Sequence, residues 1–486
     1  MKYHKDKKWT NWGKTQTCRP ALTFYPQSRA DLVSIVNRAR DNGKRVRVVG
    51  QGYSWSPLVP TDDYLVDVSN LNRVISIDSE KRLAVFETGV TVGQLDKALR
   101  KHNMAIPSNV LSTSFSYGGV VSTGSHGHGW DCQTVSDYVE ALIVVLASGD
   151  IVRFSEVTHG KDVMNAVRIS LGTLGIILEI WLRVEPIFNL EMVERKVGID
   201  VVEDVSQLKT LVENSDYFSM FWVPLSSGLW LMEWNKTDKE AKRRPRSADI
   251  SDFFGACMGN LQGKILRRWP TLTGKFMRLI FDKYVPKYKQ EIRDVSDATH
   301  YRTAVTLIPS HNLSFAVKLD EEFENVKKVL FAVLDNVRAK EERKEFPLNL
   351  MVQVYFLKSS QALLSPSFGG DDEHYFYIEL LSYRGTDGFD SFMKEISDEL
   401  TSMPELQTRP HWAKRFLDVP GARLKIREAW GENLNQFSKI RDKLDPAKMF
   451  LNEYLEDLLA GDTVELRHAD GLTTGKHKIL DPNHRL

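Results

Sequence analysis

The sequence predicts an α+β protein with more than one domain, and three observations carry that expectation. The chain has 486 residues, 42% of them apolar, which at about 150 residues per domain suffices for two or three cores. Helical and strand periodicities alternate from Ser28 to Pro186. No repeat, low-complexity segment or run of about 20 apolar residues breaks the chain into fibrous or membrane-spanning parts.

From Ser28 to Asn42, Leu32, Ile35, Val36 and Ala39 fall at helical spacing, with Ser28 as N-cap and Gly43 just past the end. That helix leads into the valine-rich strand that opens "RVVGQGYSWSP", Arg47 to Pro57. Strands are expected at Tyr64 to Val68, Val74 to Ile77 and Leu83 to Glu87, then a helix from Thr91 that buries Val92, Leu95 and Leu99. Further strands at Ala141 to Ala147 and Ile151 to Phe154 flank a Ser148-Gly149-Asp150 turn. A short helix near Val163 to Leu171 and a strong strand at Gly175 to Val184 follow, and Pro186 closes the first domain. Beyond it come a strand at Phe218 to Val223 and a basic, less regular insertion from Lys236 to Lys289. A late helix carries Trp430, Leu434, Phe437 and Leu444 on one face and ends at Asp445-Pro446; residues past Ala460 read as a solvated tail.

A net charge of +1 gives no global argument for nucleic acid as a partner. Cys18, Cys132 and Cys257 form no CxxC pair, which argues against a disulfide scaffold or zinc site and for a reducing compartment. The start "MKYHKDKKWTNW" lacks the apolar core of a signal peptide, so a soluble cytoplasmic protein is expected and the sequons at Asn235 and Asn312 are read as unused.

Gly50-Gln51-Gly52 lacks the third glycine of a dinucleotide fingerprint, because Trp55 stands there, and alone it reads as a tight turn. A second stretch, "PSNVLSTSFSYGGVVSTGSHGHGW" from Pro107 to Trp130, contains no acid, lysine or arginine. Gly50 to Ser54 and Gly118 to Gly129 together offer backbone N–H groups to an anion. His126 and His128 lack further placed ligands, so no metal is expected. "GLTTGKH", Gly471 to His477, has the wrong spacing for a phosphate-binding loop of a nucleotide hydrolase.

An ordered set of motifs resembles the FAD-dependent aldonolactone oxidoreductases, the gulonolactone, galactonolactone and arabinonolactone oxidases and dehydrogenases of the vanillyl-alcohol-oxidase type. It runs from "TNWGKTQTCRP" through "RVRVVGQGYSWSP", "VSTGSHGHG" and "ISLGTLGIILEI" to "LLSP", "RPHWAKRF" and "RDKLDPAKMFLNEYLEDLL". The resemblance implies a two-lobed FAD-binding PCMH-type domain over residues 1–188, an α+β cap domain over 189–460 whose last helices return to the flavin, and a tail over 461–486. It implies that Val49, Gly50, Gln51, Gly52, Tyr53 and Ser54, with Gly118, Gly119, Ser122, Gly124, Ser125, His126 and Gly127, wrap the pyrophosphate and ring of FAD. Gly172, Gly175 and Ile176, within Gly172 to Ile177, would hold the adenosine side.

Two departures from the family matter. Many of its oxidases carry a histidine, bonded covalently to the flavin, where this chain has Tyr53, so non-covalent FAD is expected. A family Glu-x-Arg pair on a strand before "LLSP" is matched here by Gln353 and Tyr355, which alternation still sends to one face of the pocket as neutral hydrogen-bonding groups. Lys414 matches the family lysine near the flavin, where a cation would stabilise negative charge gathering on the ring. In "HYFYIELLSY", Tyr375, Tyr377 and Glu379 share a face, and Glu379 or Tyr377 is the candidate for proton removal, against the plain alternative of a solvent-facing strand residue.

The expected activity is FAD-dependent oxidation of a secondary carbinol in a sugar-derived lactone or polyol, with electrons passed to O2 or to another acceptor such as a redox protein. The competing reading is a catalytically altered flavin-binding protein that serves as an interaction module. "KEAKRRPRS", Lys239 to Ser247, reads as a mobile cap-domain loop rather than a localisation signal. The interleaved apolar and basic residues from Lys264 to Lys289 suit peripheral contact with an intracellular membrane as well as ordinary packing.

Overall fold

The structure, a computed structural model, describes residues 1–242, 247–300, 305–416 and 421–459. The tail 461–486, with Gly471 to His477, and residues 243–246 of the basic Lys239 to Ser247 stretch lie outside the described residues.

The first lobe is a helix, Arg29–Asp41, on a four-stranded sheet. The Ser28 hydroxyl accepts the Asp31 N–H at 3.2 Å, and Gly43 ends the helix at φ +59°. Leu32, Ile35, Val36 and Ala39 are fully buried, in one core with Phe24, Val46 and Val66. The sheet runs in the order Lys2–Lys5, Leu22–Tyr25, Tyr64–Asp67, Val46–Val49, and its last three strands are parallel.

The second lobe is a five-stranded antiparallel sheet in the order Ile151–Ser155, Val139–Val145, Ile176–Arg183, Leu83–Glu87, Val74–Asp78. The helix Val92–Arg100 starts with a Thr91/Gln94 capping box and buries Val92, Leu95 and Leu99 against it. The helix expected near Val163 to Leu171 instead spans Glu156–Arg168. Ser155 caps it early, and Leu171 lies outside it at φ +51°, which a helix cannot accommodate.

An eight-stranded antiparallel sheet follows, in the order Tyr288–Asp294, Asn189–Gly198, Gly228–Thr237, Tyr217–Trp222, Val352–Lys358, His374–Tyr383, Ser310–Lys318, Arg409–Pro410. Alternation divides its residues. Val352, Val354, Phe356, Ile378 and Phe315 enter the core formed with the helices Glu324–Glu342 and Phe389–Thr401. Gln353, Tyr355, Tyr377 and Glu379 occupy the other face, toward the first two lobes.

The insertion expected to be less regular is two helices, Ser247–Arg268 and Thr273–Tyr284. The first carries apolar residues on opposite sides, Ala256 and Leu266 buried but Met258 and Leu261 exposed, so no single apolar stripe marks it in the sequence. The late helix Ala422–Leu444 buries Trp430, Leu434 and Phe437 and stops at Asp445. The chain then returns to the first lobe: Met449 and Phe450 join its core, and Asn452 donates to the carbonyls of Pro57 at 2.9 Å and Pro60 at 3.0 Å. Among the described residues no helix is long and apolar enough to cross a membrane.

Candidate active site

The two lobes and the inner face of the large sheet enclose a cavity of about 440 Å³. One wall is made by the two glycine segments, which pack directly on each other. A Cβ on Gly50 would stand 1.9 Å from Ser116 Oγ, and one on Gly118 would stand 2.1 Å from Thr88 Oγ1, so only glycine lets these backbones approach. Gly52 turns the chain at φ +69°. Around it, the backbone N–H groups of Gln51, Gly52, Tyr53 and Ser54 donate to no protein acceptor among the described residues. Such a row of free donors fits the pyrophosphate of the expected FAD.

Farther along, Arg47 is buried and donates to four backbone carbonyls. Nε reaches Leu58 at 2.8 Å, Nη2 reaches Leu171 at 2.8 Å, and Nη1 is shared by Gly172 at 3.0 Å and Phe450. Burial lowers its guanidinium to about 9. Arg47 thereby fixes the Leu171-Gly172 turn that lines the far end of the cavity. In the sequence Arg47 reads as one more residue of the valine-rich strand, though an arginine amid the valines of a buried strand is itself an anomaly.

At the other end, Lys414 Nζ lies 3.1 Å from Glu379 Oε1 and 5.2 Å from the Trp55 ring, and the Asn312 amide donates to Glu379 Oε2 at 3.0 Å. Glu379 is 7% exposed, which removes the reading of a solvent-facing strand residue. Burial pushes its carboxyl up, but the Lys414 ammonium, His126 and the Asn312 amide outweigh burial and hold it below its ordinary value. Glu379 is the direct cross-strand partner of Gln353. A carboxylate therefore stands beside the uncharged Gln353, and the turn after Arg409–Pro410 brings a cation to it.

Of the residues expected from the sequence, the cavity is lined by Val49, Gly50, Gln51, Gly52, Tyr53, Ser54, Gly118, Gly119, Ser122, Ser125, His126, Gly172, Gly175, Gln353, Glu379 and Lys414. Gly124, Gly127, Ile176 and Tyr355 stand behind that wall. Gly124 makes a turn at φ +64°, and a Cβ on Gly127 would strike Ser108 Oγ at 2.5 Å. Ile176 points into the first lobe's core, while its neighbour Ile177 lines the cavity. Tyr355 does share a face with Gln353, to which its hydroxyl donates, but its ring packs against His128 and Phe221. Tyr377 is fully buried beneath the His126 ring at 3.7 Å, and burial raises its phenol, so of the two candidates for proton removal Glu379 has the access.

Six further residues complete this end. Asn312 is 2% exposed and its side-chain carbonyl has no partner among the described residues. His411 Nδ1 accepts the Ala413 N–H at 3.1 Å, which leaves the proton on Nε2. Phe221, Trp230, Met351 and Leu381 form an apolar wall opposite the lobes. Among the described residues no cluster of three or more metal-ligating side chains occurs.

Residues 20–155 match a family described as an FAD binding domain, and residues 180–458 match one described as D-arabinono-1,4-lactone oxidase. The L-gulono-1,4-lactone dehydrogenase of Mycobacterium tuberculosis (strain ATCC 25618 / H37Rv) is 26% identical over 93% of this chain and 99% of that protein. The L-gulonolactone oxidase of Bos taurus is 28% identical over 93% of this chain and 98% of its own length. A solved structure of a solvent-stable cholesterol oxidase superposes with a TM-score of 0.81 at 18% identity, covering 94% of this chain and 98% of that one, which speaks for the shared fold alone.

Proposed function

Since the chain belongs to the D-arabinono-1,4-lactone oxidase family, an FAD-dependent group, we propose that it oxidises a secondary carbinol of a sugar-derived lactone or polyol, with Glu379 as the proton acceptor. The observation that carries this reading is the Glu379–Lys414 pair on the cavity wall, at 3.1 Å and across the sheet from Gln353. Electrons pass on to O2 or to another acceptor. The division proposed is an FAD-binding domain over 1–188 and a cap domain over 189–460, in keeping with the two matched stretches.

FAD, when bound, supplies the hydride acceptor. The N–H groups of Gln51 to Ser54 would hold its pyrophosphate, the Leu171–Ile177 turn its adenosine, and His411 and Lys414 the polar edge of its ring. Lys414 keeps Glu379 ionised, and each Glu379 oxygen, with one partner apiece, retains a lone pair for the substrate hydroxyl. Glu379 takes the carbinol proton; Asn312, through its unpartnered carbonyl, orients a second hydroxyl. Phe221, Met351 and Leu381 keep water from the reacting carbon. Tyr53, between the Phe115 ring at 4.7 Å and the Trp12 ring at 5.6 Å, packs at the cavity edge without a covalent bond to the cofactor.

The second reading, a flavin-binding protein without turnover, draws support from Gln353 and Tyr355, whose polar groups bond to each other instead of offering charge. Absorbance before and after acid precipitation, followed by anaerobic addition of lactones and polyols, separates the two. Yellow flavin that enters the supernatant, and is bleached by one compound, supports the proposed reaction and non-covalent FAD. Flavin that stays in the pellet refutes the role given to Tyr53. Bound flavin that no compound bleaches favours the second reading.

A further inference from the structure

The helix Ser247–Arg268 has two apolar sides, and only one is used. Ala256, Gly263 and Leu266 are buried, the last two against Tyr383 and the small core around Phe281. On the opposite side Phe254, Met258 and Leu261, spaced four and three residues apart, form a stripe exposed by 63%, 64% and 49%. Exposure of the same kind recurs at Trp269 in the turn and at Leu279 and Tyr284 in the second helix. Nine of the fourteen large hydrophobic side chains exposed among the described residues lie between Phe253 and Leu307. Singly exposed apolar residues need no explanation, but a concentrated set does.

The charge of the same segment says what covers it. From Ser247, where the hairpin begins, to Lys289 the sequence holds eight lysines and arginines against three acids, Asp249, Asp252 and Asp282, although the whole chain carries only +1. Lys264, Arg268, Lys275, Lys283 and Lys287 make no ion pair among the described residues. Lys264 and Arg268 flank the apolar stripe, where long cationic side chains reach outward while their stems lie along apolar surface. A second copy of the chain would bring the same cations face to face across a two-fold interface. We propose that this helical hairpin docks on an anionic phospholipid surface, with Phe254, Met258 and Leu261 in the acyl boundary and the lysines and arginines among the headgroups. The buried sides of the hairpin pack on Trp230, Ile308 and Leu350, which line the cavity, so docking sets the cavity wall close to the lipid. This inference goes beyond the reaction proposed above and does not rest on it.

The test is flotation of the FAD-loaded protein with vesicles of phosphatidylcholine alone and with about 30% phosphatidylserine. The expected result is co-flotation with the phosphatidylserine vesicles only and release by about 0.5 M salt. Lys264→Gln with Arg268→Gln should weaken binding about fivefold per charge removed. The triple variant Phe254→Ser, Met258→Ser, Leu261→Ser should weaken it more than about tenfold with melting temperature and flavin content unchanged. Absence of wild-type flotation overturns the proposal, as does a triple variant that floats like the wild type. A protein that self-associates through this stripe, and becomes monomeric in the triple variant without ever binding vesicles, overturns it in favour of a second copy.

Discussion

Replacing Glu379 by glutamine tests the core of the proposed reaction, because it deletes one charge and leaves the shape of the wall. In the native site the carboxylate lies 3.1 Å from Lys414 Nζ, a separation at which unit charges attract by about 5 kcal/mol at an effective dielectric of about 20. Desolvation of both groups offsets much of that. The glutamine oxygen still accepts from Lys414, and the Trp55 ring stays 5.2 Å from its ammonium. A net loss of about 1–3 kcal/mol in stability is therefore expected, visible as a lower melting temperature of the FAD-loaded protein. The chemical effect should be larger: loss of the proton acceptor slows the reductive step by about 10²–10⁴-fold, roughly 3–5 kcal/mol of barrier. The assay is anaerobic stopped-flow bleaching of the flavin by the best lactone or polyol, with FAD content measured in the same sample. Flavin reduced within about threefold of the wild-type rate, at full occupancy, refutes the assignment of Glu379 as base. Combining it with Lys414→Met adds a check on stability. The double variant should be less destabilised than the sum of the two, because removing both charges leaves neither unpaired.

Gly118→Ala should abolish FAD retention, since the new methyl would meet Thr88 Oγ1 at 2.1 Å and the Thr88 carbonyl at 3.0 Å; cofactor content after gel filtration reads this directly. Because Glu379 is held below its ordinary value of 4.5, kcat/KM should stay flat through neutral pH and fall only below about pH 4.5, with no limb near pH 6.5 from His126, which burial lowers to about 4. Stability should behave differently. His126, His128 and His311, lowered by burial to about 4, about 3 and about 3, bind protons more readily when unfolded, so the melting temperature should drop progressively as pH falls below about 6.5. Arg47→Ala leaves three buried carbonyls and the part-buried carbonyl of Gly172 without their donor and should cost about 3 kcal/mol or more, measured by denaturant unfolding of the FAD-free protein.

Elements with both a periodic face and a local end signal were legible in the sequence. Ser28 and Thr91 cap helices whose buried residues fall where spacing puts them, and Leu83–Glu87 reads as a strand end to end. The glycine wall was legible for a similar reason, since a close backbone approach demands residues without a side chain. The hairpin from Ser247 to Tyr284 was not, because apolar residues on both sides of a helix erase its periodicity. Within the site, alternation placed Gln353 with Tyr355 and Glu379 with Tyr377 correctly. Which member of each pair reaches the cavity depends on His126, which covers Tyr377, and on His128, which packs against Tyr355. The meeting of Glu379 with Asn312 and Lys414 arises from strand register and from the turn after Arg409–Pro410, neither of which leaves a trace in local sequence.

The return of the chain to its first lobe has a consequence for how the protein is made. The loop after the glycine turn is held from downstream: Trp55 N–H donates to the Ala413 carbonyl at 2.8 Å, the Ser56 hydroxyl to that of Trp412, and Asn452 ties down Pro57 and Pro60. Arg47 likewise reaches Phe450. On the ribosome, the helix Arg29–Asp41 and its sheet can condense early, but the loop they present stays without its clamps until residues 412–452 have emerged. Tight FAD capture then waits on residues 412–452, and a product truncated before them is an open apoprotein exposed to quality-control proteases.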